Sequence, residues 1–193
     1  MKKISLLAFI LLVGFMANAQ KVNLGLKGGV NVASLDITDA NNLSSRIGYH
    51  AGIFANIPVS YQIAIQPEVV YSSQGVKYSE GGFDHSLALN YVNIPLMVQA
   101  NVGSGFYAQV GPQLGILASV SDKIEDTETN FFSKEEFKST DVSLGVGLGF
   151  KGRSGFGIDA RYNLGLTDIN NSGLSSKIKN NVLQVGLQLQ LGR

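Results

Sequence analysis

The sequence predicts an all-β protein: an eight-stranded antiparallel up-and-down transmembrane β-barrel, preceded by a cleavable signal peptide. Three observations carry that reading. Apolar residues alternate with polar residues or glycine along eight successive segments, the period-2 pattern of strands with two unlike faces. The connections between those segments alternate long and short. Charged residues make up only 15% of the chain, and glycine supplies 23 of its 193 residues, against roughly 25% and ~7% in ordinary soluble proteins.

The first 19 residues read as a secretory signal. Lys2 and Lys3 form a basic start, Ile4 to Met16 is an apolar core, and Ala17-Asn18-Ala19 is a small–x–small cleavage site. The apolar run is too short for a spanning helix, which needs ~20 residues. Residues 20–193 are then a single barrel domain.

The eight alternating segments lie at about 22–34, 46–58, 62–73, 86–100, 105–118, 140–151, 155–167 and 180–191. In the first, Val22, Leu24, Leu26, Val30 and Val32 oppose Asn23, Gly25, Lys27, Gly29 and Asn31. In the sixth, Val142, Leu144, Val146, Leu148 and Phe150 oppose Asp141, Ser143, Gly145, Gly147 and Gly149. The fourth changes phase: Leu87, Leu89 and Tyr91 are followed by Val92, Ile94, Leu96 and Val98, which predicts a bulge near Tyr91. Segments of roughly 12 residues exceed the ~5–6 of soluble strands and suffice to cross a bilayer at a tilt, which takes ~9–11. An even count suits a closed antiparallel barrel.

The faces decide what surrounds the barrel. A lumen of eight strands is just wide enough for side chains, and the face rich in Gly, Gln, Asn and charged residues fits it. The aliphatic face then meets lipid. Tyr49, Tyr71, Tyr91, Phe106, Phe150, Phe156 and Tyr162 are the candidate interfacial aromatics. Long stretches at about 35–45, 74–85, 119–139 and 168–179 alternate with tight turns near Ser60, Gly103 and Gly152. Outer-membrane barrels keep their long loops outside the cell, which puts both mature termini in the periplasm.

Several stretches resemble the PorT-like outer-membrane β-barrel family common in Bacteroidetes. They are Leu24-Gly25-Leu26-Lys27-Gly28-Gly29, Gln66-Pro67-Glu68-Val69-Val70-Tyr71-Ser72, Tyr91-Val92-Asn93-Ile94-Pro95-Leu96, Gly111-Pro112, Gly145-Val146-Gly147-Leu148-Gly149 and Arg161-Tyr162-Asn163-Leu164-Gly165-Leu166. Together they cover essentially the whole mature chain. The resemblance implies an eight-stranded outer-membrane barrel without an assigned process. The family's name comes from a member linked to secretion and gliding, a role that fold alone does not transfer. One departure is the ending Gln190-Leu191-Gly192-Arg193, where such barrels often carry an aromatic read by the assembly machinery.

Among candidate site residues, Lys27, His50, Glu68, Asp159 and Arg161 all fall on the inner face and form the expected lumen network. Opposite charges in a narrow lumen pair or stay hydrated, because burial unpaired costs several kcal/mol. They read as a plug, with an ion or proton path as the alternative. The charged loop from Asp122 to Lys138 carries Phe131, Phe132 and Phe137; it reads as a solvated loop, or as a contact surface for an extracellular or envelope protein. Asp36, Asp39 and Asn41 do not complete a calcium loop. Gly145-x-Gly147-x-Gly149 lies within a strand, with no helix after it, and is no nucleotide loop.

Absence of Cys excludes a disulfide scaffold and a thiolate metal site. A formal net charge of +1 with no basic block argues against nucleic acid. The chain is therefore expected to be a monomeric outer-membrane barrel without cofactor, metal or enzyme activity. Its partners would be membrane lipid and the barrel-assembly machinery, and its role structural, adhesive or envelope-maintaining. A soluble lipocalin-like carrier is the main alternative. It would need an apolar lumen and usually a Gly-x-Trp signature, and the chain has no Trp. A barrel enzyme using His50, or His85 with Ser86 and Asp84, is the third reading.

Overall fold

The computed structural model describes residues 22–37, 43–124, 127–129, 132–171 and 177–191. The proposed signal peptide, Phe131, Asp39 and Asn41 lie outside them. The described residues form nine strands: β1 (Asn23–Ile37), β2 (Leu43–Pro58), β3 (Ile63–Glu80), β4 (Phe83–Gly103), β5 (Phe106–Ile124), β6 (Thr127–Thr129), β7 (Thr140–Lys151), β8 (Phe156–Gly165) and β9 (Ile178–Leu191). Eight close a ring in the order β1-β2-β3-β4-β5-β7-β8-β9, every pair antiparallel. β9 pairs back onto β1 from Leu24↔Leu191 to Ile37↔Ile178, so the first and last strands seal the ring. The short β6 pairs only with the end of β5.

Through the lower barrel the expected inversion holds. Leu24, Leu26, Ile53, Val69, Val110, Val146, Ile158 and Leu187 are exposed on the outer wall. Lys27, Asn31, Gln66, Glu68, Gln109, Asp159, Arg161 and Gln188 are buried inside. Water cannot pair with such a wall at low cost, whereas lipid can. The Phe106 and Phe150 rings meet at 4.9 Å near the short turns, and Tyr49 and Tyr71 at 6.0 Å toward the long loops. These pairs mark the two borders of the apolar band.

Glycine creates the room inside. A Cβ on Gly25 would clash with the Phe54 ring, and one on Gly149 with the Tyr107 ring. Each glycine pairs in register with the aromatic that covers it. Two inward aromatics thus lie flat across neighbouring strands near the short turns. One on Gly147 would come within 3.1 Å of both the Arg161 Cα and the Gln109 amide.

β3, β4 and β5 are longer than the sequence suggests, at 18, 21 and 19 residues. The stretch 74–85, expected as a loop, is instead a continued hairpin in register from Gln74↔Leu89 to Glu80↔Phe83. It turns on Gly81 and Gly82 at φ +62° and +86°, positive values that glycine adopts without steric cost.

The phase change in β4 has a different cause from the one expected. A register shift does fall between Asn90 and Tyr91, but the extra residue is Ala118 on β5, since Asn90 pairs with Ser119 and Tyr91 with Leu117. β4 itself keeps its alternation, and Leu87, Leu89, Tyr91, Asn93, Pro95, Met97 and Gln99 all point inward. What changes is the solvent. Beyond the apolar band the outer wall carries Asn90, Ser119, Ser121, Lys123 and Lys77, while the inside becomes apolar. Tyr91 is therefore fully buried and is no interfacial aromatic.

The band and the extension call for opposite responses to an added charge. Val146→Arg in the middle of the outer wall is expected to destabilise the barrel by about 2–4 kcal/mol. Ser121→Arg on the extension should stay within about 0.5 kcal/mol of wild type. Guanidinium unfolding in lipid vesicles measures both.

Candidate functional site

The five sequence-nominated lumen residues come from three neighbouring strands, β1, β2 and β3, and from β8, and all five are buried in the lumen. Glu68 on β3 is the centre. Arg161 on β8 reaches it across the lumen with two donors, Nη2 to Oε1 at 2.7 Å and Nη1 to Oε2 at 3.0 Å. Lys27 on β1 donates to Glu68 Oε2 at 3.3 Å and to Asp159 Oδ2 at 3.4 Å. Two cations and two carboxylates are thus joined, all buried. A forked guanidinium–carboxylate pair is the strongest form of such contact.

Two glutamines that the sequence reading left unassigned complete the layer. Gln109 on β5 accepts from Arg161 Nη2 at 3.0 Å and donates to Asp159 at 3.4 Å. Gln66 donates to Glu68 Oε1 at 2.8 Å, and Asn56 donates to Gln66 at 3.1 Å. The signal for them was available: Gln66 shares the inward face with Glu68 two residues later on the same strand.

His50 is buried in the same lumen but outside the direct ion pairs. Its Nδ1 lies 2.8 Å from Asn31 Oδ1. The Asn31 amide nitrogen faces three acceptors for its two hydrogens, Tyr49 O, Ser72 Oγ and Ser73 O, all within 3.0 Å, which turns the amide oxygen toward the ring, and His50 Nδ1 is the donor to that oxygen. The imidazole closes the next layer, toward the long loops.

Above these layers lies a second, apolar barrier of Leu35, Val76, Leu87, Leu89, Tyr91, Leu117, Phe137 and Ile169, with Leu43, Val120, Phe132 and Ile178 packed against it. This corrects the exposed-aromatic reading of the third long loop. Phe137 is buried at 6% exposure and Phe132 is half-buried against it, with ring centroids 6.4 Å apart. The loop lies over the barrel mouth and is tied to the following one. Lys138 N donates to Ile169 O at 2.8 Å, Asn171 N to Glu136 O at 2.8 Å, and Lys138 Nζ to Asp168 Oδ2 at 3.0 Å. The Tyr91 hydroxyl and the amide nitrogens of Asn93 and Asn163 are buried with no partner among the described residues.

His85, Ser86 and Asp84 do not form a hydrolytic set. His85 and Ser86 are successive residues of β4 and so face opposite ways. His85 stacks on Tyr78 at 4.7 Å, and Asp84 accepts from Ser79 at 2.6 Å. No group of three His, Cys, Asp or Glu residues placed to hold a metal exists among the described residues.

With a closed ring, an apolar wall and a charged lumen in view, comparison with known proteins becomes specific. The family model described as "Outer membrane protein beta-barrel domain" matches residues 18–171. The chain belongs to that family. As a family member it is an outer-membrane β-barrel. Among solved structures, Neisserial surface protein A aligns with a TM-score of 0.54 and 14% identity, over 88% of this chain and 99% of that one. Ail, the attachment invasion locus protein of Yersinia pestis, aligns with a TM-score of 0.51 and 12% identity, over 89% of this chain and 100% of that one. At such identities these two share the fold with the barrel, and the likeness goes no further. No curated protein matches the sequence.

Two outcomes follow from the geometry. Glu68→Ala leaves Arg161 and Lys27 buried without their shared carboxylate and should cost about 3–5 kcal/mol in guanidinium unfolding. Arg161→Lys, which keeps the charge and loses the fork, should cost less. At the mouth, Asp168 is held down at about 2 by the backbone N–H groups of Ile178 and Asn170 and then by Lys138. A carboxyl lowered from ~3.9 stabilises the cap fully above pH ~4 and loses that contribution as pH falls through about 2. Amide exchange at Phe137 and Lys138 should accelerate over that interval, and Asp168→Asn should remove that acid step.

Proposed function

We propose that this barrel is a closed, non-conducting outer-membrane protein that acts through its wall and its long-loop end, in a structural, adhesive or envelope-maintaining role. The observation that carries the reading is the forked Arg161–Glu68 pair spanning the lumen. Breaking it to admit an ion would leave a buried charge alone. The apolar barrier above it is a second obstruction in the same path.

The proposal includes export by the signal at residues 1–19, insertion by the barrel-assembly machinery and function as a monomer. It sets the short turns and both mature termini in the periplasm and the long loops outside the cell, the usual arrangement of such barrels. The motifs around Gln66-Pro67-Glu68 and Arg161-Tyr162-Asn163 support a place in the PorT-like branch of the family. Extracellular or envelope proteins remain partners in this reading, met at the long-loop end rather than by Phe137.

Planar-bilayer recording tests the closed lumen. The wild-type barrel should give no single-channel steps, and Glu68→Ala should melt earlier while staying closed. A large rise in conductance on Glu68→Ala would show that the network gates a path and would overturn the plug. Recovery from membranes only with detergent, with heat-modifiable gel migration, is the companion result; recovery as a soluble periplasmic protein contradicts membrane insertion.

A further inference from the structure

We propose that Lys27 and Asp159 condense to an intramolecular amide, a side-chain cross-link from β1 to β8 that straps the closing seam of the ring, with Glu68 as the proton carrier.

The lumen sets one amine between two carboxyls. Lys27 Nζ lies 3.3 Å from Glu68 Oε2 and 3.4 Å from Asp159 Oδ2, and all three side chains are buried. The two carboxyls are held differently. Arg161 grips both oxygens of Glu68, and Gln66 donates to Oε1 as well. Asp159 has no such fork. Its Oδ2 accepts from Lys27 and, at 3.4 Å, from Gln109, while its Oδ1 is buried with no partner among the described residues. Asp159 is therefore the carboxyl with a carbon open to attack and an oxygen free to leave.

The strand between them leaves the way clear. On β9, Gly186 pairs with Asp159 and Gln188 pairs with Lys27. Gly186 has no side chain, and the Gln188 amide is drawn off to the Tyr107 hydroxyl at 2.9 Å. Groups held ~3–3.5 Å apart react as if at effective concentrations of about 10⁵ M or more. The Phe54 and Tyr107 rings toward the short turns and the apolar barrier toward the long loops limit the water that would reverse the reaction.

The step balances without a co-reactant. Glu68 Oε2 takes a proton from the Lys27 ammonium, and the freed amine attacks the Asp159 carboxyl carbon. Gln109 donates to Oδ2 as charge gathers there. The proton held by Glu68 and a second one from the nitrogen pass to Oδ1, which leaves as water. An ammonium and a carboxylate become one amide and one water, and Glu68 is regenerated. One buried cation and one buried anion vanish together, and the Arg161–Glu68 fork keeps the remaining charge neutral. The bond joins positions 132 apart. It spans β9, whose pairing with β1 closes the ring.

The test is peptide mapping of the full mature chain folded in detergent micelles, with heat-modifiable migration as the sign of folding. Trypsin cannot cut at a Lys27 in amide linkage. Most folded wild-type chains should therefore give one branched peptide joining residues 22–46 to residues 154–161, lighter than their sum by one water. Lys27→Arg keeps the charge and should stay unlinked. Glu68→Gln keeps the size and should link about 100-fold more slowly once folded. Wild type held in guanidinium should not link at all. Folded wild type that mostly releases residues 22–27 as a separate peptide overturns the proposal. So does loss of water without the branch, which is cyclisation of Asp159 alone, or linking in guanidinium. A folded Glu68→Gln chain that links at the wild-type rate overturns the part given to Glu68.

Discussion

A narrow lumen must neutralise whatever charge it encloses, and the rest of this structure is arranged around that constraint. Lipid surrounds the lower wall, so the apolar side of every strand faces out and the polar side faces in. Eight strands leave too little width for bulk water to solvate the residues inside. Arg161 at 1% exposure and Glu68 at 2% are compatible with folding only as partners. The forked pair, with Lys27, Asp159, Gln66 and Gln109 completing it, links strands that do not touch along the wall. The glycines follow from the same constraint, since Gly147 leaves the space in which Arg161 and Gln109 lie.

The extension obeys the opposite rule with the same chain. Once β3, β4 and β5 pass the apolar band, water replaces lipid outside. The inward face then gathers Leu87, Leu89, Tyr91 and Leu117, as in an ordinary soluble β-protein. The protein is thus two barrels end to end, one with a polar interior and one with an apolar interior, on continuous strands. The change of solvent also gives the two ends separate tasks. The lower lumen holds the ring together by ion pairing, and the upper end presents a polar outer wall and a capped mouth.

Much of this was legible in the residues. Alternation located all eight ring strands to within a few residues at most ends, and the long–short rhythm of connections ordered them. The inward placement of Lys27, Glu68, Asp159 and Arg161 followed from the same alternation. Their pairing did not: Glu68 and Arg161 are 93 positions apart, and periodicity says which face a side chain occupies but not what it meets across the lumen. The apolar cap was hidden for a related reason. Leu87 and Leu89 alternate just as wall residues do, and only the level of the membrane tells which side is dry. Phe137 looked exposed because charged residues flank it in sequence, while the loop folds it down onto Ile169. The continued β3–β4 hairpin did carry a local signal in Gly81-Gly82, which polar composition obscured.

The central claim is that cross-lumen ion pairing, rather than the wall alone, holds the barrel in one closed form. A double-mutant cycle on Glu68→Ala and Arg161→Ala, read by guanidinium unfolding in micelles, measures it directly. A coupling energy above about 1.5 kcal/mol, as expected for a close buried charge pair, agrees with the claim. Additivity of the two substitutions within about 0.5 kcal/mol would contradict it.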